Sequence, residues 1–94
     1  MTRYQFRVFA LDASGKTLLD EQNGGELPLK MFDSWFDGIR SKAAASGATI
    51  LLLDEYKRTR DKDTTTYIKQ EFINGKWTKE KTITLEEYEN YFKD

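Results

Sequence analysis

The sequence predicts a small α+β domain, in which an antiparallel sheet carries two helices packed on one face. Three patterns support this class: period-two alternation at the N-terminus, a helical apolar stripe further on, and an Asn-Gly turn signal in the second half. Together they give the element order ββαβββα. The 94 residues suit one domain, 1–94, and 38% of them are hydrophobic, which supplies a modest core.

The N-terminal segment is typical of a β-hairpin. Tyr4, Phe6 and Val8 alternate with polar residues, as in a strand that buries one face. A turn at residues 13–16 contains glycine, which adopts positive φ without strain. Residues 17–20 then return as the partner strand.

An amphipathic helix is predicted from Leu29 to Ala45. Pro28 fits its first turn, where the missing N–H is not needed, and Gly47 is a suitable C-terminal stop. Apolar residues recur at steps of three and four along one face. They are Phe32, Trp35, Phe36, Ile39 and Ala43.

A three-stranded meander is predicted over residues 49–83. Its first strand begins with an apolar run, which is typical of a strand covered on both faces. A turn at residues 61–63 would place Tyr56 opposite Ile68. The same register places Asp54 opposite Gln70, where the carboxyl group would be partly buried and hydrogen-bonded.

The second turn of the meander is predicted at Asn74-Gly75. This dipeptide favours the type I′ hairpin turn because both central residues must adopt positive φ. Counting outward from it pairs Phe72 with Trp77 and Tyr67 with Thr82. A final helix is expected from about Leu85 to Phe92, and Thr84 with Glu87 forms its capping box.

Composition excludes several classes of function. The chain has no cysteine and no histidine, so disulfide scaffolds, thiol nucleophiles and the usual imidazole base are excluded. No glycine-rich phosphate loop and no metal-loop spacing occurs. We therefore expect a protein that is not an enzyme and uses no metal or cofactor. The N-terminus has no signal-peptide core and no run reaches membrane-spanning length, so we expect a cytoplasmic protein without membrane contact.

A local basic stretch makes nucleic-acid binding one hypothesis. The net charge of the whole chain is only −1, but residues 56–81 carry an excess of cations. A hairpin tip with four cations could neutralise phosphates, while Tyr67 and Trp77 could stack on bases. The candidate residues for this function are Lys57, Arg58, Arg60, Lys62 and Trp77.

The leading hypothesis is a non-catalytic module that binds a protein. With both helices on one face, several apolar residues would form an exposed patch on the other, and such patches mark protein interfaces or homodimer contacts. The candidate interface residues are Phe9, Leu51, Leu53, Tyr67 and Ile73. Small chains of this type include inhibitors, adaptors and assembly subunits, among them proteins encoded by phages and mobile elements.

Overall fold

A computed structural model describes residues 3–23 and 29–93 of the chain. All the strands join one antiparallel sheet of order β2-β1-β3-β4, and the two short strands β5 and β6 both pair with the outer side of β4. This confirms the α+β class and the predicted order, with the expected last strand divided in two. The elements are β1 (Arg3–Leu11), β2 (Thr17–Gln22), α1 (Leu29–Ala45), β3 (Ile50–Arg58), β4 (Asp63–Ile73), β5 (Lys76–Trp77), β6 (Lys81–Ile83) and α2 (Leu85–Asn90).

Helix α1 has the predicted bounds. Phe32, Phe36 and Ile39 are buried at the expected spacing and pack on the sheet. Gly47 follows the helix with φ of 89°, the left-handed conformation that favours glycine. The expected place of Pro28 in the first turn lies outside the described residues.

The two helices lie on opposite faces of the sheet, which corrects the expectation of one shared face. Leu51 and Leu53 of β3 pack in the core that contains Phe36 of α1. Leu52 points to the other side and packs in the core that contains Tyr88 of α2. Consecutive apolar residues in a strand can bury both faces. We call these sides the α1 face and the α2 face.

The β3–β4 hairpin turns at residues 59–62, earlier than expected. The Thr59 hydroxyl donates to the Lys62 carbonyl (2.8 Å) and accepts from the Lys62 N–H (3.1 Å). The register therefore moves by three residues, and Asp54 lies opposite Tyr67 instead of Gln70. Because the shift is odd, the β4 side chains lie on the opposite face from the one expected.

The Asn74-Gly75 turn has the predicted form. Its residues have φ of 53° and 80°, and Phe72 pairs with Trp77 as expected. Residues 78–80 then leave the ladder, so the pairing of β6 moves by one residue. Tyr67 consequently lies opposite Ile83, whereas Thr82 was expected.

Helix α2 begins with the predicted cap, because the Thr84 hydroxyl accepts a hydrogen bond of 3.1 Å from the Glu87 N–H. The helix ends at Asn90, two residues before the expected end. Within the described segments, neither helix is long and apolar enough to cross a membrane.

Candidate functional site: the uncovered end of the sheet

The predicted apolar patch does not exist as one surface. Leu51 and Leu53 have exposed fractions of only 1% and 3%, because α1 covers them. Phe9 and Tyr67 lie on the α2 face, where both rings contact Tyr88. Ile73, which is 51% exposed, is therefore the only member of the set that is largely open to solvent. The expectation was wrong because it left one face uncovered and used the wrong β4 register.

The four cationic candidates lie together at the hairpin. Lys57, Arg58, Arg60 and Lys62 are exposed at the end of the β3–β4 hairpin. Among the described residues, only Asp63 forms an ion pair with any of these four cations. Its carboxylate lies 4.0 Å from the Arg58 Nε. Both side chains of that pair are mostly exposed, so solvent screens the attraction.

The aromatic candidates do not accompany these cations. Trp77 is half-buried, and its Nε1–H donates to the Arg40 carbonyl at 3.1 Å. It pairs with Phe72, about 30 Å along β4 from the hairpin at about 3.3 Å per residue. Tyr67 packs against Tyr88, with ring centroids 4.6 Å apart. Neither ring can stack on a base held at the hairpin.

Arg3 joins the hairpin cations, and sequence reasoning missed it. Arg3 and Arg58 lie directly opposite each other on β1 and β3, and their side chains are therefore on the same face. With Thr59 and Arg60 they line a pocket of about 240 Å³, which we call the arginine pocket. The basic hairpin was visible in the sequence, but its pairing with the start of the chain was not.

The α2 face is covered over half of its length. Helix α2 lies above the half that contains Leu52 and Ile50. The other part, which neither described helix covers and which we call the open half, holds a second pocket of about 360 Å³. Its lining includes Gln5, Arg7, Gln22, Asn23, Asp54 and Tyr56.

Arg7 lies in the open half, where Asp20 and Phe9 hold its side chain in place. Its guanidinium donates to Asp20 through Nε (3.1 Å) and Nη2 (2.9 Å), and it lies 4.5 Å above the Phe9 ring. The hydrogen bond to Asp20 raises the pKa of Arg7, and the same bond lowers the pKa of Asp20. This bidentate pair fixes the Arg7 side chain on the sheet.

Asp54 lies beside Arg7 on the neighbouring strand. Burial raises the pKa of the Asp54 carboxyl, and the charge of Arg7 opposes that shift only in part. Burial, together with the Asp54 charge, raises the pKa of Tyr88 to about 12. Burial is therefore the main cause of both shifts. In the described segments, no group of three or more acidic side chains is placed to hold a metal ion.

Gln70 has a different partner from the one expected. It is 6% exposed on the α1 face, and its Oε1 accepts from the Arg40 Nε at 3.1 Å. The same guanidinium contacts Asp37 (2.9 Å) and Glu80 (3.1 Å) and lies 4.0 Å from the Phe36 ring centroid. Arg40 therefore ties α1 to the outer strands, and its role is structural.

The outer side of β4 is only partly paired. β6 lies beside residues 67–69 and β5 beside residues 72–73. No described strand lies beside the outer side of Asp63–Thr66, which we call the free edge. The exposed Thr64 and Thr65 lie in its middle.

The direction of the backbone groups at the free edge follows from their neighbours. The Phe72 N–H donates inward to the Thr49 carbonyl (2.9 Å), whereas the Glu71 N–H donates outward to the Thr78 hydroxyl (2.9 Å). Directions alternate along an antiparallel strand, and the β3–β4 register is unbroken. The N–H and C=O of Thr65 therefore point outward, and those of Thr64 point toward β3.

Comparison with other proteins identifies no relative: no family model, no curated protein and no solved structure matches this chain.

Proposed function

We propose that the protein is a non-catalytic protein-binding module that accepts an extended segment of its partner at the free edge. The supporting observation is the outward N–H and C=O of Thr65, which no described strand pairs. A sheet edge with unpaired backbone groups is a template for another strand. A bound segment would continue the sheet beyond β4, in line with β6.

The chemistry of the two outer segments supports this choice. The outer side of the sheet carries a lysine in β5 (Lys76), one in β6 (Lys81) and one between these strands (Lys79). Lysines on an edge oppose further strand pairing. After Asp63, the free edge instead consists of consecutive threonines at 64–66, which favour extended structure and carry no charge. The lysines would therefore keep further strands away from β5 and β6, whereas the free edge could accept a strand from a partner.

The test removes the outward donor without disturbing the sheet. Proline in place of Thr65 has no N–H, and proline is tolerated where the lost donor faces solvent. Peptides that bind the wild-type protein are first selected from a random library. Their affinities for T65P and for the control T65V, which keeps the N–H, are then measured. We expect T65P alone to lose affinity, with slower exchange of the Thr65 amide in wild-type complexes. Equal affinity for T65P and T65V contradicts strand addition.

A second copy of the chain is the simplest partner of this kind. Two free edges can pair antiparallel across a twofold axis, with threonines facing threonines. Sedimentation of wild type and T65P over a wide concentration range tests the homodimer, since only wild type should associate. The same proposal includes a role as an inhibitor, adaptor or assembly subunit, an origin in a phage or mobile element, and a cytoplasmic location.

Nucleic-acid binding through the hairpin is a second candidate, which the convergence of Arg3 with Arg58 and Arg60 favours. Contacts to phosphates release counterions, so such binding must weaken steeply with salt. Fluorescence anisotropy with DNA and RNA at two salt concentrations tests it. We expect R58A/R60A to lose the binding, and unchanged affinity contradicts this candidate.

A further inference from the structure

We propose that the pocket in the open half binds a primary ammonium group, with the Asp54 carboxylate as its counter-ion. This pocket of about 360 Å³, which we call the Asp54 pocket, is lined by residues of β1, β2 and β3 and by Asn23, which follows β2. The site goes beyond the proposed function, because no residue of β4, which carries the free edge, belongs to its lining.

Strand pairing brings the polar side chains of the Asp54 pocket together. Arg7 lies directly opposite Gln22 on β2 and Asp54 on β3, so these three residues form one row across the sheet. Gln5 lies directly opposite Tyr56 and forms the neighbouring row. Opposite residues share a face, and so do residues two positions apart in one strand. All five side chains therefore project from the α2 face.

The Arg7 guanidinium is turned away from Asp54. The strand order places β2 and β3 on opposite sides of β1. The guanidinium donates to Asp20 of β2 through Nε (3.1 Å) and Nη2 (2.9 Å), and it lies 4.5 Å from the centroid of the Phe9 ring. Because Asp20 holds this cation toward β2, the β3 side of the pocket is left for a second cation beside Asp54.

Asp54 lacks a full charge partner in the described part of the chain. No ion pair or hydrogen bond of the described residues includes its carboxylate. The charge of Arg7 opposes the effect of burial on the Asp54 pKa only in part. Asp20 and Asp54 thus share one guanidinium, and the excess negative charge attracts a cation.

The surroundings of Asp54 strengthen that attraction. The side chain is half-buried, so water and salt screen its charge less than that of an exposed carboxylate such as Asp33 of α1. Burial without a partner disfavours the ionised carboxylate, and a cation bound beside it relieves this penalty. A cation therefore gains more at Asp54 than at an exposed acidic side chain.

The other lining residues suit a primary ammonium group. Such a group has three N–H donors and no acceptor. The pocket offers the Asp54 carboxylate and the side-chain carbonyl oxygens of Gln5 and Gln22, and neither amide is engaged in a hydrogen bond with a described residue. The half-buried Tyr56 adds a ring, which attracts cations and packs against an alkyl chain. A lysine side chain and a free alkylamine share this chemistry.

The first experiment titrates butylammonium chloride against the protein at neutral pH, while NMR follows the Asp54 carboxyl carbon and the side-chain amide of Gln5. We expect saturable shifts in wild type and a loss of affinity of roughly tenfold or more in D54N. D33N removes the same charge at an exposed position of α1 and should bind like wild type. Absence of saturable binding to wild type, or equal affinities of D54N and D33N, overturns the proposal.

Two further ligands separate the charge from the N–H donors. Butanol has the same alkyl chain without the charge, and it should give no saturable shift. Tetramethylammonium keeps the charge but has no N–H, so it should bind more weakly than butylammonium. Butanol binding as tight as that of butylammonium overturns the proposal, and equal affinity for the two cations overturns the assignment of a primary ammonium. Far-ultraviolet circular dichroism verifies that D54N and D33N are folded.

A last pair of probes distinguishes the sources of the ammonium group. Nα-acetyl-lysine methylamide carries it on a side chain within a short piece of peptide backbone. Affinity equal to or higher than that of butylammonium assigns the site to a lysine of a partner protein, whereas lower affinity assigns it to a free amine. The same probe acetylated at Nζ has no charge, and equal binding of both forms contradicts an ammonium site.

Discussion

The two halves of the α2 face differ although the same strands build both. In β3, Leu52 packs under α2, whereas Asp54, one step further along the same face, lines the open pocket. In β1, the change occurs between Phe9 and Arg7. On this face the side chains therefore change from apolar to polar along each strand. The position of the change marks where α2 stops covering the sheet.

The largest expected effect contrasts the covered face with the free edge. L51D places a carboxylate under α1, where Leu51 is fully buried, and should cost at least about 4 kcal/mol, enough to unfold a small domain. T65D adds the same charge at an exposed position and should change stability by about 0.5 kcal/mol or less. Urea unfolding compares them. A folded L51D protein would show that α1 does not cover this strand.

The next effect separates inward from outward backbone groups. T64P removes an N–H that points toward β3 and should cost about 2–3 kcal/mol through the lost ladder bond. T65P should cost far less. Thermal unfolding of both variants measures the difference. Equal destabilisation would contradict the deduced strand direction and, with it, the free edge.

A smaller effect distinguishes structural from available arginines. R40A leaves Gln70 without its guanidinium donor beneath α1 and should cost about 2 kcal/mol. R60A removes a side chain without a partner among the described residues and should cost about 0.5 kcal/mol or less. Denaturant midpoints of the two variants test this contrast. Equal losses would place Arg60 in the structure and not in a binding site.

The smallest effect is a pH dependence at the border of the open half. Burial raises the pKa of Asp54 above its ordinary value of 3.8, so the folded state binds this proton more readily than the unfolded state does. The contribution of Asp54 to stability therefore rises as pH falls through its folded pKa, and it is least favourable at neutral pH. D54N should be slightly more stable than wild type at neutral pH, with the advantage shrinking toward pH 3.8. Urea unfolding across this range checks it; an advantage that grows on acidification contradicts the assignment.

Local patterns predicted the elements well because their causes are local. The apolar stripe of α1, the Thr84 cap and the Asn74-Gly75 turn each depend on residues within a few positions. The turn at 59–62 has no glycine or asparagine, so its position, and the register that depends on it, could not be inferred from the sequence.

The candidate site was harder to predict because it depends on distant parts of the chain. The four hairpin cations were identifiable, but the pairing of Arg3 with Arg58 joins residues far apart in sequence. The free edge exists because β6 ends at Ile83, opposite Tyr67. The one-residue change of register after Trp77, which no local signal marks, sets its boundary at Thr66.

The most direct test of the account is amide hydrogen exchange along β4 in dilute, unbound protein. We predict fast exchange at Thr65, which points outward at the free edge, and slow exchange at Thr64 and Thr66, which point toward β3. Tyr67 also points outward but lies beside β6, so its amide should be slow. Fast exchange at Thr65 alone among these four supports a receptive edge. Slow exchange at all four would show that the edge is already covered and would contradict strand addition.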